Sequence, residues 1–153
     1  GDRRGGGHDR SRQRLAPSVP VRSQHPEGIL SEVEAQGGLI VAAHPFDRRR
    51  PALGRSNALA LFGGRIAVEV LNGRTYRSRT NSEASAYAEA FGLPAVAGSD
   101  AHTPFEVGNA CVEADAETAE EWKRAIRNRQ VRVCGRTSHP ICSLYSGMRK
   151  LGV

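Results

Sequence analysis

The amino-acid sequence predicts an α/β fold in which parallel strands are covered by helices. Helical and strand-like segments alternate along residues 27–133 with short connections, which is typical of parallel sheets. The strand-like segments are apolar throughout, as expected for strands that are buried on both faces. A barrel-like α/β arrangement, or part of one, is the leading architecture, and an open doubly wound sheet is the alternative.

The first two helix–strand units lie in the N-terminal half of the chain. An apolar helical stripe around Leu30 ends at Gly37, and the strand-like run 39–43 follows it. A second helical patch at 57–62 precedes another strand at 66–70. Each apolar run is too short for a buried helix and is therefore predicted to be a strand.

The later units have the clearer helical spacing. Asn81 is the predicted N-cap of a helix that ends at Gly92, and the strand 95–97 follows. A further helix leads to the strand 131–133. The apolar positions that define these helices are Ala84, Tyr87, Ala88 and Phe91 in the first and Ala119, Trp122 and Ile126 in the second.

Composition narrows the class of protein. The 153 residues have room for one domain, and 39% of them are hydrophobic. No apolar run approaches the roughly 18 residues that span a bilayer. The three cysteines are odd in number and form no CxxC pair, which argues against a disulfide framework and a cysteine zinc site. We therefore expect small buried cysteines and a reduced, cytoplasmic setting.

The positive charge is concentrated at the N-terminal end. Residues 1–26 contain six arginines and two aspartates, a net charge of +4, which leaves +2 for residues 27–153. The same segment has almost no apolar periodicity and cannot bury enough surface to offset its ordering entropy. We therefore expect a basic, disordered leader at 1–26 and a folded domain at 27–153.

Polar side chains follow the predicted strands at the points where those strands end. His44 follows the first strand, Glu69 and Asn72 lie at the end of the second, and Asp100 and His102 follow the third. The carboxyl ends of parallel strands share one rim, so these side chains should converge. Imidazole and carboxylate are good ligands for zinc, manganese or iron, and such an ion could activate water and polarise a phosphoryl group.

Each of these residues also has a structural alternative. His44 precedes a proline and is of a type often found in turns. Asp100 could cap a turn or a helix, and Glu69 could be a solvated charge at a strand end. The occurrence of polar residues at three strand ends favours the functional interpretation.

Three motifs resemble those of the polymerase-and-histidinol-phosphatase (PHP) superfamily of metal-dependent phosphoesterases. Residues 37–47 are similar to its strand and His-Pro motif, 68–74 to its middle strand motif, and 98–102 to its terminal Asp-x-His motif. Gly108 fits the segment that follows. The resemblance runs from about residue 27 to residue 140, and the three motifs occur in the family's order.

The resemblance implies the C-terminal portion of a distorted (β/α) barrel that holds two or three divalent ions and hydrolyses phosphate esters. His44, Asp100 and His102 carry over as metal ligands, whereas Glu69 and Asn72 match a motif near the site without a ligand role. Members of the family begin with a His-x-His strand, and no His-x-His occurs in this sequence. The N-terminal strands and ligands of the family are therefore missing here, and activity of this chain alone should be impaired.

The implied substrate is a phosphate ester, either a small phosphomonoester, a nucleotide or an oligonucleotide. Arg48 and Arg74 are candidate phosphate ligands because a guanidinium offers paired donors to phosphate oxygens. No catalytic acid or base is assigned. Two other hypotheses are a non-catalytic PHP-fold domain that binds a partner, and a nucleic-acid binder that uses the arginine-rich leader.

Overall fold

A computed structural model describes residues 19–50, 62, 64–76 and 78–150. Their fold is a mixed α/β arrangement with two small sheets. The helices are α1 (Pro26–Ala35), α2 (Ser78–Ala90), α3 (Ala119–Arg127) and α4 (Ile141–Lys150). The strands are β1 (Val41–Ala42), β2 (Ala67–Asn72), β3 (Ala95–Gly98), β4 (Ala110–Glu113) and β5 (Arg132–Gly135), and a 3₁₀ turn spans Pro104–Glu106.

The larger sheet is parallel and has the strand order β1-β2-β3. Ala42 pairs with Val68, and Asn72 at the end of β2 pairs with Gly98 at the end of β3. The register shifts between Glu69 and Leu71. This pairing brings the carboxyl ends of all three strands to one edge, as the strand pattern predicted.

Both faces of β2 are buried, which explains why apolar residues occupy both faces of the strand, with polar residues only at Glu69 and Asn72. Val68 belongs to a core cluster with Leu30 of α1 and Ala84 of α2. Its neighbour Ala67 belongs to a second cluster with Ile126 of α3. Because successive strand residues point to opposite faces, these helices cover opposite sides of the sheet.

No closed barrel forms within the part of the chain that the structure describes, so the barrel expectation is not confirmed. The predicted strand 131–133 is found at 132–135, but it pairs antiparallel with β4. Neither β4 nor α4 was predicted from the sequence. Cys111 and Cys134 face each other in this pair and are half-buried free thiols rather than fully buried residues.

Asn81 is not the N-cap of α2, because the helix already begins at Ser78. Its side chain instead accepts a hydrogen bond from the backbone N–H of Asn72 at 3.2 Å and donates one to that residue's carbonyl at 3.3 Å. The predicted end at Gly92 is confirmed. Gly92 has φ +62°, and Leu93 donates to the carbonyl of Ala88 at 2.8 Å.

The described part of the leader lies along α1. The backbone N–H of Val19 donates to Gln36 at 2.9 Å, and that of Ser23 donates to Glu32 at 3.1 Å. These hydrogen bonds were not expected from the leader's composition. Residues 1–18 of the leader and 57–61 of the predicted helical patch lie outside the described residues, so the domain boundary stays a prediction. Within the described ranges, no helix has the length and apolar character needed to cross a bilayer.

Candidate functional site

Two of the residues predicted to converge, His44 and Asn72, meet at Glu69, whose side chain is a carboxylic acid and yet is only 9% exposed. One carboxylate oxygen, Oε2, accepts a hydrogen bond from the backbone N–H of His44 at 2.6 Å and another from Asn72 Nδ2 at 3.0 Å. A Cβ atom at Gly98 would lie 2.6 Å from the other oxygen. Glu69 therefore links the ends of β1 and β2, and β3 leaves room for it by carrying a glycine.

Asn72 extends this cluster towards an arginine that the sequence reasoning missed. Its Oδ1 accepts hydrogen bonds from Arg50 Nη2 and Thr75 Oγ1, both at 3.2 Å. The backbone N–H of Arg74 donates to the same oxygen at 3.0 Å. Asn72 is 1% exposed, and these partners satisfy its amide within the buried edge of the sheet.

Arg50 bridges two aspartates that come from different strand ends. Its Nε lies 2.8 Å from Asp47 Oδ2, and its Nη1 contacts Asp100 Oδ2. Burial tends to raise the pKa of the Asp100 carboxyl, but the hydrogen bond and charge of Arg50 outweigh burial and lower that pKa. The pKa of Asp47 is lowered by the same balance, with a further hydrogen bond from the backbone of Arg49.

Two predicted metal ligands hold unusual backbone conformations. His44 has φ +33° and Asp100 has φ +50°, which is the left-handed region that most side chains avoid. Such a conformation costs roughly 1–3 kcal/mol in a residue other than glycine. Strain of this kind concentrates at functional sites, and here it falls on the residues that turn the chain away from β1 and β3.

His102 lies beside Asp100, with its Nε2 3.4 Å from Asp100 Oδ1, and its side chain is 44% exposed. Its backbone N–H donates to Glu106 Oε2 at 3.0 Å, and Thr103 Oγ1 donates to the same oxygen at 3.0 Å. Glu106 is fully buried. This carboxylate therefore fixes the turn that presents His102.

Arg74, a predicted phosphate ligand, already has several partners. Its Nε lies 3.0 Å from Glu106 Oε1, and the Arg74 side chain is 9% exposed. This contact is an ion pair without hydrogen-bond alignment. Its Nη2 donates to the hydroxyls of Ser143 and Ser146 on α4 at 3.0 and 2.8 Å. Arg74 thus attaches α4 to the edge of the cluster, and its phosphate-binding role stays a prediction.

The structure brings the three predicted metal ligands to one strand edge without forming a complete metal site. Asp100 and His102 are adjacent, while His44 is connected to them through Glu69, Asn72 and Arg50. His44 Nδ1 is buried and has no hydrogen-bond partner among the described residues. Within those same residues, no group of three or more His, Cys, Asp or Glu side chains is arranged to hold a metal ion. The ligand assignment stays a prediction.

Two neighbouring cavities open beside the cluster. The larger has a volume of about 390 Å³ and is lined by Arg48, Arg49 and Arg79, among others. The second has a volume of about 340 Å³ and includes Arg50 and His102. Arg49 and Asp47 line both, so the cavities are adjoining. Arg48, the other predicted phosphate ligand, is exposed on the wall of the larger cavity.

Fold and site together define an α/β protein with a polar cluster at the carboxyl edge of a parallel sheet. Residues 78–131 match the family model described as PHP-associated, and the chain therefore carries a PHP-associated region. The resemblance inferred from the three motifs is confirmed in this region, which includes Asp100 and His102 but not His44.

One relative extends the similarity beyond that region. An uncharacterized protein of Methanocaldococcus jannaschii is 40% identical over 103 residues, which cover 65% of this chain and 43% of the relative. The chain thus spans less than half the length of this curated relative.

Proposed function

We propose that this chain supplies part of the active site of a divalent-metal-dependent phosphoesterase of the PHP type. The substrate is a small phosphomonoester, a nucleotide or an oligonucleotide. The observation that carries the proposal is the hydrogen-bonded cluster that joins the ends of the three strands. The backbone of His44 and the carboxylate of Asp100 belong to it, and His102 lies beside Asp100. Further ligands, including the His-x-His pair of the family, would come from a segment that this sequence does not contain.

The donor set of the cluster suits zinc, manganese or iron, since His44, Asp100 and His102 offer two imidazoles and one carboxylate. The buried His44 Nδ1 without a described partner supports this fit. When bound, such an ion lowers the pKa of a coordinated water and polarises a phosphoryl oxygen.

Arg50 decides how readily Asp100 can accept an ion. Its guanidinium sits on the carboxylate and supplies the positive charge that a metal would otherwise bring. The side chain must therefore move for Asp100 to coordinate an ion through Oδ2. Once released, a guanidinium is well suited to accept a phosphate group, because its N–H donors match phosphate oxygens.

A non-catalytic binding domain is the second candidate function. It is favoured by the same Arg50–Asp100 contact, which satisfies Asp100 without a metal, and by the absence of a three-ligand group within the described residues. Metal binding by the purified protein separates the two candidates.

We expect the 153-residue chain to bind one zinc or manganese ion weakly, and Arg50→Gln to tighten that binding roughly 3- to 10-fold. The reason is that the ion no longer competes with a guanidinium for Asp100. Calorimetric titration of protein stripped with chelator measures both affinities.

Arg124→Gln is the matched control, because it removes an equal charge from the exposed surface of α3 and should leave metal affinity unchanged. Asp100→Asn should weaken binding. If neither the wild type nor Arg50→Gln takes up an ion, or if Asp100→Asn binds as tightly as the wild type, the non-catalytic function is the better one.

A further inference from the structure

The larger of the two cavities is lined by more basic than acidic side chains. The excess positive charge is not paired with the strand-end cluster, which consists of Glu69, Asn72, Arg50 and Asp100. The wall of this cavity includes four arginines, against the carboxylates of Asp47 and Glu83. Cavities of this size suit a phosphate group together with part of the molecule that carries it. The charges on the wall decide which part of a substrate it would accept.

Most of the charged groups on the wall already have partners. Arg74 pairs with buried Glu106, and Arg79 Nε lies 3.1 Å from Glu83 Oε1. The carboxylate of Asp47 accepts from Arg50 and from the backbone N–H of Arg49. All of these contacts lie in or beside the cavity and leave little unbalanced charge on the residues involved.

Arg48 and Arg49 are the exception. Both side chains are exposed, and within the described ranges neither guanidinium has a hydrogen bond or a carboxylate partner. Arg48 and Arg49 line the same cavity, so their positive charges add there, and an anion in the cavity would lower their mutual repulsion. The N–H donors of a guanidinium match the oxygens of phosphate bidentately.

We propose that Arg48 and Arg49 form a subsite for a second phosphate group of the substrate, separate from the group at the strand-end cluster. This inference rests on the proposed function and narrows its substrate class to compounds with at least two phosphates. The cavity adjoins the one that contains His102, so a single molecule can extend from one to the other. A simple phosphomonoester would leave the arginine pair without an anion.

The test measures anion binding by the full 153-residue chain in the presence of chelator, so that no metal contributes. Inorganic phosphate should bind, and the double variant Arg48→Gln/Arg49→Gln should weaken that binding about tenfold. Both side chains are exposed, so the double variant should fold like the wild type, which its urea midpoint checks. The double variant Arg124→Gln/Arg127→Gln removes the same two charges from exposed positions on α3, at a distance from the cavity.

Nucleotides then test the second phosphate directly. Thymidine 3′,5′-bisphosphate should bind more tightly than thymidine 5′-monophosphate to the wild type, and the double variant should remove the difference. A 5′-phosphorylated dithymidylate tests whether the second phosphate group belongs to an oligonucleotide or to a small bisphosphorylated compound. Tighter binding than the bisphosphate indicates an oligonucleotide, and weaker binding indicates a small bisphosphorylated compound.

The subsite is wrong if phosphate does not bind, if Arg124→Gln/Arg127→Gln weakens binding as much as Arg48→Gln/Arg49→Gln does, or if the bisphosphate binds no more tightly than the monophosphate. Each of these results is obtained without metal and leaves the metal titration unaffected. Conversely, if the chain takes up no metal but binds phosphate through Arg48 and Arg49, the proposed phosphoesterase function is wrong and the proposed subsite is retained.

Discussion

Replacing Asp100 with alanine should lower metal-dependent hydrolysis of phosphate esters at least 100-fold once the chain is completed by a PHP-type N-terminal half. Removing even a residue that only hydrogen-bonds to a metal ligand costs about 10- to 100-fold, so loss of a ligating carboxylate should cost more. The 153-residue chain alone should turn over slowly or not at all, because three ligands cannot hold the two or three ions that the family resemblance implies.

The measurement compares initial rates on a chromogenic phosphate ester with and without chelator, for the chain alone and for the completed protein. Asp115→Ala removes an exposed carboxylate near the end of β4 and serves as the matched control. Rapid, chelator-sensitive turnover by the chain alone that Asp100→Ala abolishes would mean that its own ligands suffice. Unchanged turnover in the completed Asp100→Ala protein would remove Asp100 from the site.

Replacing Arg74 with methionine should lower the free energy of unfolding by about 3 kcal/mol, because it leaves the buried Glu106 carboxylate without its cation. The same substitution should also weaken the attachment of α4 to the domain, since Arg74 donates hydrogen bonds to Ser143 and Ser146 on that helix. Urea denaturation followed by circular dichroism gives the change in free energy.

An exposed ion pair provides the control for Arg74. Arg132 contacts Glu113 across β4 and β5 with side-chain exposures of 75% and 50%, and Arg132→Met should cost less than about 1 kcal/mol. The double variant Arg74→Met/Glu106→Gln should recover part of the loss, because it removes the unpaired charge and keeps an acceptor for His102 and Thr103. Equal effects of Arg74→Met and Arg132→Met would show that the buried pair contributes no more than a surface contact.

The parallel sheet could be predicted because its signals are local. Short apolar runs separated by glycine-terminated helices are sufficient to predict β2 and β3, and the rule that parallel strands share an edge then brings Glu69, Asn72 and Asp100 together. The order of the strands along the chain therefore carries most of the information about the candidate site.

The antiparallel pair β4–β5 could not be predicted in the same way. Its strands are short, carry charged residues such as Glu113 and Arg132, and are separated by α3. Such segments have no pattern that distinguishes an antiparallel partner from a parallel one. The pairing depends instead on tertiary contacts, which propensity does not describe.

Arg50 was missed for a different reason. It is the third of three consecutive arginines, and sequence spacing does not distinguish the one that turns inward from the two that face solvent. The difference arises from Asp47, three residues earlier, and from Asn72 and Asp100, which are distant in sequence and approach Arg50 only in the folded sheet. Its partners could have been suspected only after the strand ends had been placed.

The left-handed backbones at His44 and Asp100 set stability against function in this fold. A laboratory selection for heat resistance alone should favour glycine at both positions, since glycine adopts such backbones without a steric penalty. The variants that survive heating best would then be those that have lost the imidazole and the carboxylate. A second selection would demand turnover as well as heat resistance. If His44 and Asp100 are retained in that selection and replaced in the first, the two residues contribute to activity and not to stability.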